Sequence, residues 1–229
     1  MKRLLPALTL ILAPALGLAA PVPFQASYAV SVNGMTLGGM DSSLKYTATG
    51  YTYQKLTKAN GLAAMLSGDT LTERSTGSKQ GEQLSAQHYL HHHKSKRKDR
   101  RDEFTFTSPT RVTGQYESKP YDLSAPADTI DSALLELRLM DDLASGKPLN
   151  YQVASRGKIK PYRFQKLGTE TLETPAGSYE CEKVQVTADD GKRQTTVWLA
   201  PSLHYHIVRA AHRDDDEVIE VTLTRHQAR

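Results

Sequence analysis

Cysteine occurs once in the 229 residues, at Cys181, so no disulfide can close within the chain and packing with hydrogen bonding must hold the fold. Long apolar runs are missing beyond the first residues, and with them the ~20 consecutive apolar residues of a spanning helix. Absent too are the G-x-S-x-G turn of hydrolases, the H-E-x-x-H helix of zinc proteases and a glycine-rich phosphate loop, so no familiar catalytic signature is present. Nor is there a large excess of one charge. The formal net charge is +4, which falls to +2 without Lys2 and Arg3, and the run Lys94–Arg101 (KSKRKDRR) alone carries six basic side chains and one acid. The rest of the chain is therefore net negative, which excludes a global electrostatic preference for nucleic acid. Phenylalanine (4) and tryptophan (1) are sparse beside 11 tyrosines, so most aromatic surface is amphipathic and suited to strands with one wet edge.

What the chain does have, at its start, is the pattern of a secretory leader. Lys2 and Arg3 precede an apolar stretch from Leu4 to Leu18, and Gly17 and Ala19 satisfy the small-residue rule for cleavage. Residues 1–19 are thus expected to be a signal peptide and 20–229 a single β-rich domain. About 210 residues suit one core that hides roughly 70% of the surface of the unfolded chain. Pro6 and Pro14 interrupt the apolar stretch, and no cysteine lies near the cleavage site to carry a lipid.

Alternation dominates the remainder of the chain. Phe24, Ala26, Tyr28, Val30 and Val32 alternate with polar neighbours, the period of two of a strand with one buried face. Asn33-Gly34 predicts a hairpin turn, an extended stretch runs from Met35 to Tyr46, and Thr49-Gly50 turns into Tyr51–Lys58. KANGLAAMLS, from Lys58 to Ser67, fits either a helical turn or a flap. Further strands are predicted at Thr70–Arg74, Leu84–His93, Glu103–Thr107, Arg111–Tyr116, Leu149–Ser155, Lys158–Leu167, Ser178–Ala188, Arg193–Leu199, His204–Ala210 and Glu217–Arg225, with Asp190-Gly191 as a hairpin turn. One helix is predicted after Pro126, with Asp128 as N-cap and Ile130, Ala133, Leu134, Leu137 and Met140 at helical spacing, closed by Gly146, Lys147 and Pro148. Leu135, Leu139 and Leu143 widen its apolar stripe, as for a helix covered on more than one side. The expected fold is mainly β: a curved antiparallel sheet or open half-barrel of about eleven to thirteen strands, with the helix packed in its concave face.

Three constellations bear on chemistry. His204 and His206, like His91 and His93, stand two apart on predicted strands and would share a face, a spacing that suits either metal chelation or half-exposed polar positions. Lys94, Lys96, Arg97, Lys98, Arg100 and Arg101 form a hairpin tip that is either solvated or a contact for anionic head groups, with no amphipathic helix predicted beside it. Asp214, Asp215, Asp216 and Glu217 lack the ligand alternation and glycine of a calcium loop. Cys181, among Tyr179, Val184 and Val186, reads as a small core residue rather than a reactive thiol. Finally, Ile130, Leu134, Leu137, Tyr28 and Trp198, with Leu62 and Met65 as flap, are candidates to line a cavity for an elongated apolar ligand, the alternative being that they are simply core.

In order and spacing, FQASYAVSVNGMTLG, KANGLAAML, DTIDSALLELR, TPAGSYECEKVQV and TTVWLAP resemble an exported bacterial family known as domain of unknown function 3108. The resemblance implies a periplasmic or otherwise secreted location and supplies no catalytic residues. The strand-rich layout with a central helix also resembles the open half-barrels of periplasmic lipoprotein carriers, which hold acyl chains in a groove. These readings lead to a non-catalytic envelope protein without a cofactor, binding a lipid-like or amphipathic ligand. Two alternatives stay open: a metal-binding protein or metal-dependent hydrolase using His204 and His206, and a structural adaptor docking an envelope protein or polysaccharide, with peripheral membrane contact at the basic tip.

Overall fold

The computed structural model describes residues 21–187 and 191–228; the expected leader and Asp190 of the expected Asp190-Gly191 turn lie outside them. Alternating burial carries β1 (Phe24–Val32) into β2 (Met35–Tyr46) through Asn33 and Gly34, whose φ values of 49° and 81° are those of a tight hairpin turn. The meander continues through β3 (Gly50–Ala59), the short helix α1 (Gly61–Ser67), β4 (Thr70–Gln80), β5 (Gln83–Lys94), β6 (Asp99–Ser108), β7 (Arg111–Tyr116) and β8 (Lys119–Ser124). The chain then crosses the hollow as β9 (Ile130–Asp131), α2 (Ser132–Ala144), β10 (Asn150–Ser155) and β11 (Lys158–Arg163). It returns through β12 (Gln165–Thr174), β13 (Gly177–Thr187), β14 (Arg193–Ala200), β15 (His206–Asp214) and β16 (Glu217–Ala228).

Thirteen strands form one antiparallel sheet in the order β12-β13-β14-β15-β16-β1-β2-β3-β4-β5-β6-β7-β8. The chain therefore starts mid-sheet, builds outward to β8, crosses, and builds back from β12 until β16 pairs with β1. The two edge strands are not paired with each other, so the sheet is curved but open, as expected. A second sheet, β11-β10-β9, lies with α2 inside the curve.

Two expectations about elements are corrected. The stretch Lys158–Leu167 is two strands in different sheets, separated at Phe164, whose N–H donates to the Leu149 carbonyl at 2.9 Å. β12 buries only Leu172 along its length, so its sequence shows no alternation to read. The long helix starts at Ser132 rather than after Asp128. Asp128 takes a left-handed φ of 66°, Ile130 and Asp131 pair in parallel with Val153 and Ala154, and Asp131 is the cap, its Oδ1 accepting from the N–H groups of Ala133 (3.0 Å) and Leu134 (2.7 Å). Gly146, at φ 66°, marks the end, as the sequence predicts.

α2 buries Ala133, Leu134, Leu135, Leu137, Leu139, Met140 and Leu143, residues on nearly every side, because the large sheet covers one flank and β9 and β10 the other. Each fully buried leucine contributes about 1.5–3 kcal/mol. On the β3–β8 side the space beneath α2 is solid. Tyr89 and Phe104 stack with ring centroids 4.9 Å apart, and Phe106 and Tyr121 surround Phe104. Two glycines permit this density. A Cβ on Gly114 would lie 2.4 Å from the Phe104 Cβ, and one on Gly77 would lie 2.8 Å from the Tyr51 ring, so at both positions a side chain would collide with the neighbouring strand.

Candidate ligand cleft

On the other side the sheet does not reach the helix. A cleft of about 240 Å³ separates Leu135 and Leu139 of α2 from Tyr28, Met40, Val186, Thr195, Val197, Ile207, Ala210 and Val221 of the sheet, with Tyr162 and Phe164 closing it where the chain crosses. The cause is side-chain length: β13 to β16 present mainly β-branched residues and alanine, which stop short where the opposite half uses tyrosine and phenylalanine. This volume is somewhat below the ~300–1,000 Å³ of drug-sized ligand pockets, which suits a slender apolar group.

One end of the cleft is polar. Lys55 Nζ bridges Glu73, at 2.6 Å, and Glu136. The Tyr53 hydroxyl donates to Glu136 Oε2 at 2.7 Å, and the Tyr89 hydroxyl donates to Glu73 Oε1 at 2.5 Å. Burial works to lower the Lys55 pKa, but the adjoining Glu136 and Glu73 outweigh it and hold the ammonium charged. Burial likewise works to raise Glu73, and Lys55 with Tyr89 overcomes it, holding Glu73 below the usual carboxylate range. One lysine between two carboxylates leaves the cluster net negative, and Glu136, with 30% of its side chain exposed against 11% for Glu73, is the member nearer solvent. Such an end favours an uncharged or amine-bearing head over a free carboxylate. Behind it, Ser75 Oγ donates to Asp131 Oδ2 at 2.6 Å and lies 2.8 Å from the Tyr51 hydroxyl. Burial pushes the Asp131 carboxyl up to about 7.

The structure scatters the candidate cavity residues. Tyr28 lines the cleft, its hydroxyl donating to the Ile207 carbonyl at 3.0 Å. Leu134 and Leu137 pack in the core without facing the cleft, and Ile130 borders a more polar groove on the far side of α2, with Arg138, Asp142 and Arg163. Leu62 and Met65 are not a flap over the cavity. They are 76% and 71% exposed, because α1 sits on the turn between β3 and β4 and buries no residue. Trp198 faces the opposite side of the sheet, since alternation turns it away from Val197. Its indole N–H donates to Glu170 at 2.9 Å, with Lys183 and Arg209 over the ring. Sequence patterning did not point to Lys55, Glu136, Leu135, Leu139, Val197 and Val221 as lining. One usable signal was Glu136, a carboxylate in the middle of a broad apolar helix stripe.

Among the described residues the histidine pairs are not gathered as metal ligands, and His206 is buried rather than half-exposed. After the 3-10 turn Pro201–Leu203, His204 and Tyr205 both adopt left-handed backbone (φ 54° and 57°), so the strand starts only at His206 and the two histidines do not share a strand face. The His206 ring is buried against Phe24 and His226, both with centroids at 4.4 Å, and its Nε2 lies 2.8 Å from the Tyr28 hydroxyl. Burial, helped by His226, pushes its pKa down to about 3, so it is a neutral core side chain. His93 is engaged by Asp69 at 2.9 Å, and burial holds His91 below its ordinary value. Among the described residues no group of three or more His, Cys, Asp or Glu is placed to hold a metal ion. Cys181 is fully buried, and burial pushes its thiol up to about 11.

An open, curved antiparallel sheet with a helix lodged in its hollow defines a β-barrel-like protein whose edges do not meet. The sequence matches the DUF3108 family, proteins of unknown function, over residues 27–224, and the chain belongs to that family. Among solved structures it is similar to a β-barrel-like protein of domain of unknown function DUF1849 from Brucella abortus, at 12% identity and a TM-score of 0.59, covering 92% of this chain and 99% of that one. This is a likeness of fold. The Mycobacterium tuberculosis lipoprotein LppX also aligns, at 14% identity over 88% of this chain and 85% of that one, with a TM-score of 0.30. No curated protein matches by sequence.

Proposed function

We propose that this chain is a non-catalytic exported protein of the cell envelope that holds an acyl chain or similar slender apolar group between α2 and the β13–β16 side of the sheet. The observation that carries this reading is the apolar cleft of about 240 Å³ ending at Lys55 and Glu136. The leader pattern in residues 1–19 supports export, and the polar end supports a ligand whose head is uncharged or carries an amine.

The reading is tested by native mass spectrometry of the gently purified chain, together with binding of an environment-sensitive probe bearing an acyl chain and a neutral or amine head. The expected result is a non-covalent lipid adduct and probe binding, both lost on Ala210→Trp, which fills the cleft from a lining position. A chain that carries no adduct and binds no probe would overturn it, as would unchanged binding by a folded Ala210→Trp variant.

A further inference from the structure

Because successive strands are joined by hairpins, the turns of alternate hairpins gather at one end of the sheet. The β1–β2 turn, α1, the tip between β5 and β6, and the β15–β16 turn all lie at this end. Six large apolar side chains are exposed among the described residues, and five of them are here: Met35 (66%), Leu62 (76%), Met65 (71%), Leu66 (79%) and Ile219 (38%). Three belong to α1, whose backbone is tied to the basic tip. The Lys96 N–H donates to the Ser67 carbonyl at 2.9 Å, and Lys96 Nζ donates to the Met65 carbonyl at 2.5 Å. The apolar helix and the cationic tip thus form one continuous surface.

The charges of that tip are unevenly engaged. Arg100 is paired with Glu117 at 3.1 Å and Arg101 with Glu103 at 2.8 Å. Lys94, Arg97 and Lys98 have no carboxylate within ion-pair distance among the described residues. The acidic turn Asp214–Glu217 is at the same end but on β15 and β16, across β1 to β4 from the tip, and the carboxylates at the tip itself, Asp99, Asp69 and Glu117, are engaged by His92, His93 and Arg100. Exposed leucines and methionines beside unpaired cations complement one kind of surface, an interface with apolar depth beneath anionic head groups.

We propose that α1 and the β5–β6 tip dock this protein on an anionic phospholipid bilayer, Leu62, Met65 and Leu66 entering the head-group boundary while Lys94, Arg97 and Lys98 meet the phosphates. The surface is separate from the cleft, so docking and ligand binding stand or fall independently.

The test is flotation of the purified chain with vesicles of phosphatidylglycerol and phosphatidylcholine, against phosphatidylcholine alone. Binding is expected on the anionic vesicles only, and it falls as salt is raised. Neutralising Lys94, Arg97 and Lys98 to Gln weakens it by on the order of a hundredfold, at about 1 kcal/mol per cation. Leu62→Ser with Met65→Ser and Leu66→Ser, which leaves the charge unchanged, weakens it by at least roughly tenfold while leaving the remainder salt-sensitive. All six side chains lie outside the core, so both variants should melt with the parent chain; if one does not fold, the other decides. Absence of flotation, equal flotation with neutral vesicles, or flotation indifferent to both sets of substitutions overturns the proposal. Ala210→Trp leaves flotation unchanged.

Discussion

The two halves of the concave face are built on one backbone plan and differ in what their side chains do. From β3 to β8 the inward positions carry Tyr51, Tyr89, Phe104 and Tyr121, with Gly77 leaving room for the Tyr51 ring, and the space under α2 is packed with them. From β13 to β16 the inward positions carry Val186, Thr195, Val197, Ala210 and Val221, and the same helix stands off the sheet. Leu135 and Leu139 roof the open half, while Leu134 and Leu137 are buried in the core. The halves thus differ in the size of the side chains they present, and they should respond differently to substitution.

The largest effect is expected in the filled half. Phe104→Ala should cost about 3–5 kcal/mol in chemical denaturation, because Tyr89, Phe106 and Tyr121 cannot collapse into the void. Nearly as large is Lys55→Met, at about 3 kcal/mol, since it leaves Glu73 and Glu136 without their cation at the boundary between the halves. Acidifying the medium to protonate the carboxylates should recover part of that loss, and a loss independent of pH would show that packing rather than charge holds this boundary.

A smaller effect concerns pH. Asp131 has its folded pKa raised from 3.8 to about 7, so its contribution to stability is complete below about 3.8 and is lost as pH rises through 7. Asp131→Asn retains a capping oxygen but cannot titrate, so its melting temperature should rise relative to that of the parent between pH 5 and 8, by roughly a few degrees. His206 acts in the opposite sense, its folded pKa depressed to about 3, so its contribution is present above 6.5 and is lost as pH falls. Parallel pH dependences of melting for the Asp131→Asn variant and the parent would show that the buried carboxylate does not set this difference. The smallest effect is in the hollow half. Val197→Ala, facing space already open, should cost about 1 kcal/mol or less, and a cost equal to that of a core deletion would erase the contrast between the halves.

Much of the sheet was legible in the sequence because one buried face writes itself as alternation. β1 and the Asn33-Gly34 turn are the clearest cases. β12 was not legible, because a strand with nearly every side chain in solvent leaves no periodic trace. The start of α2 was misplaced because Asp128 and Asp131 are both good caps, and only the pairing of Ile130–Asp131 with β10 chooses between them. The cleft itself was half legible. Tyr28 could be placed on an inward face, whereas the inward direction of Val197 over Trp198 depends on strand pairing that composition does not reveal. Leu62 and Met65 show the same limit from the other side: an apolar seven-residue segment reads alike whether it plugs a cavity or stands in solvent.

The seam between β1 and β16 joins Phe24 to Ala228, nearly the whole described chain apart. Among strand pairs it carries the greatest sequence separation, and it lies mid-sheet rather than at a margin. A nascent polypeptide would hold β1 with one ladder unpaired until the final strand is synthesised, and folding should wait on that closure. Trimming a few residues from β16 would therefore strike the middle of the molecule, opening it as two separate leaves instead of fraying a border.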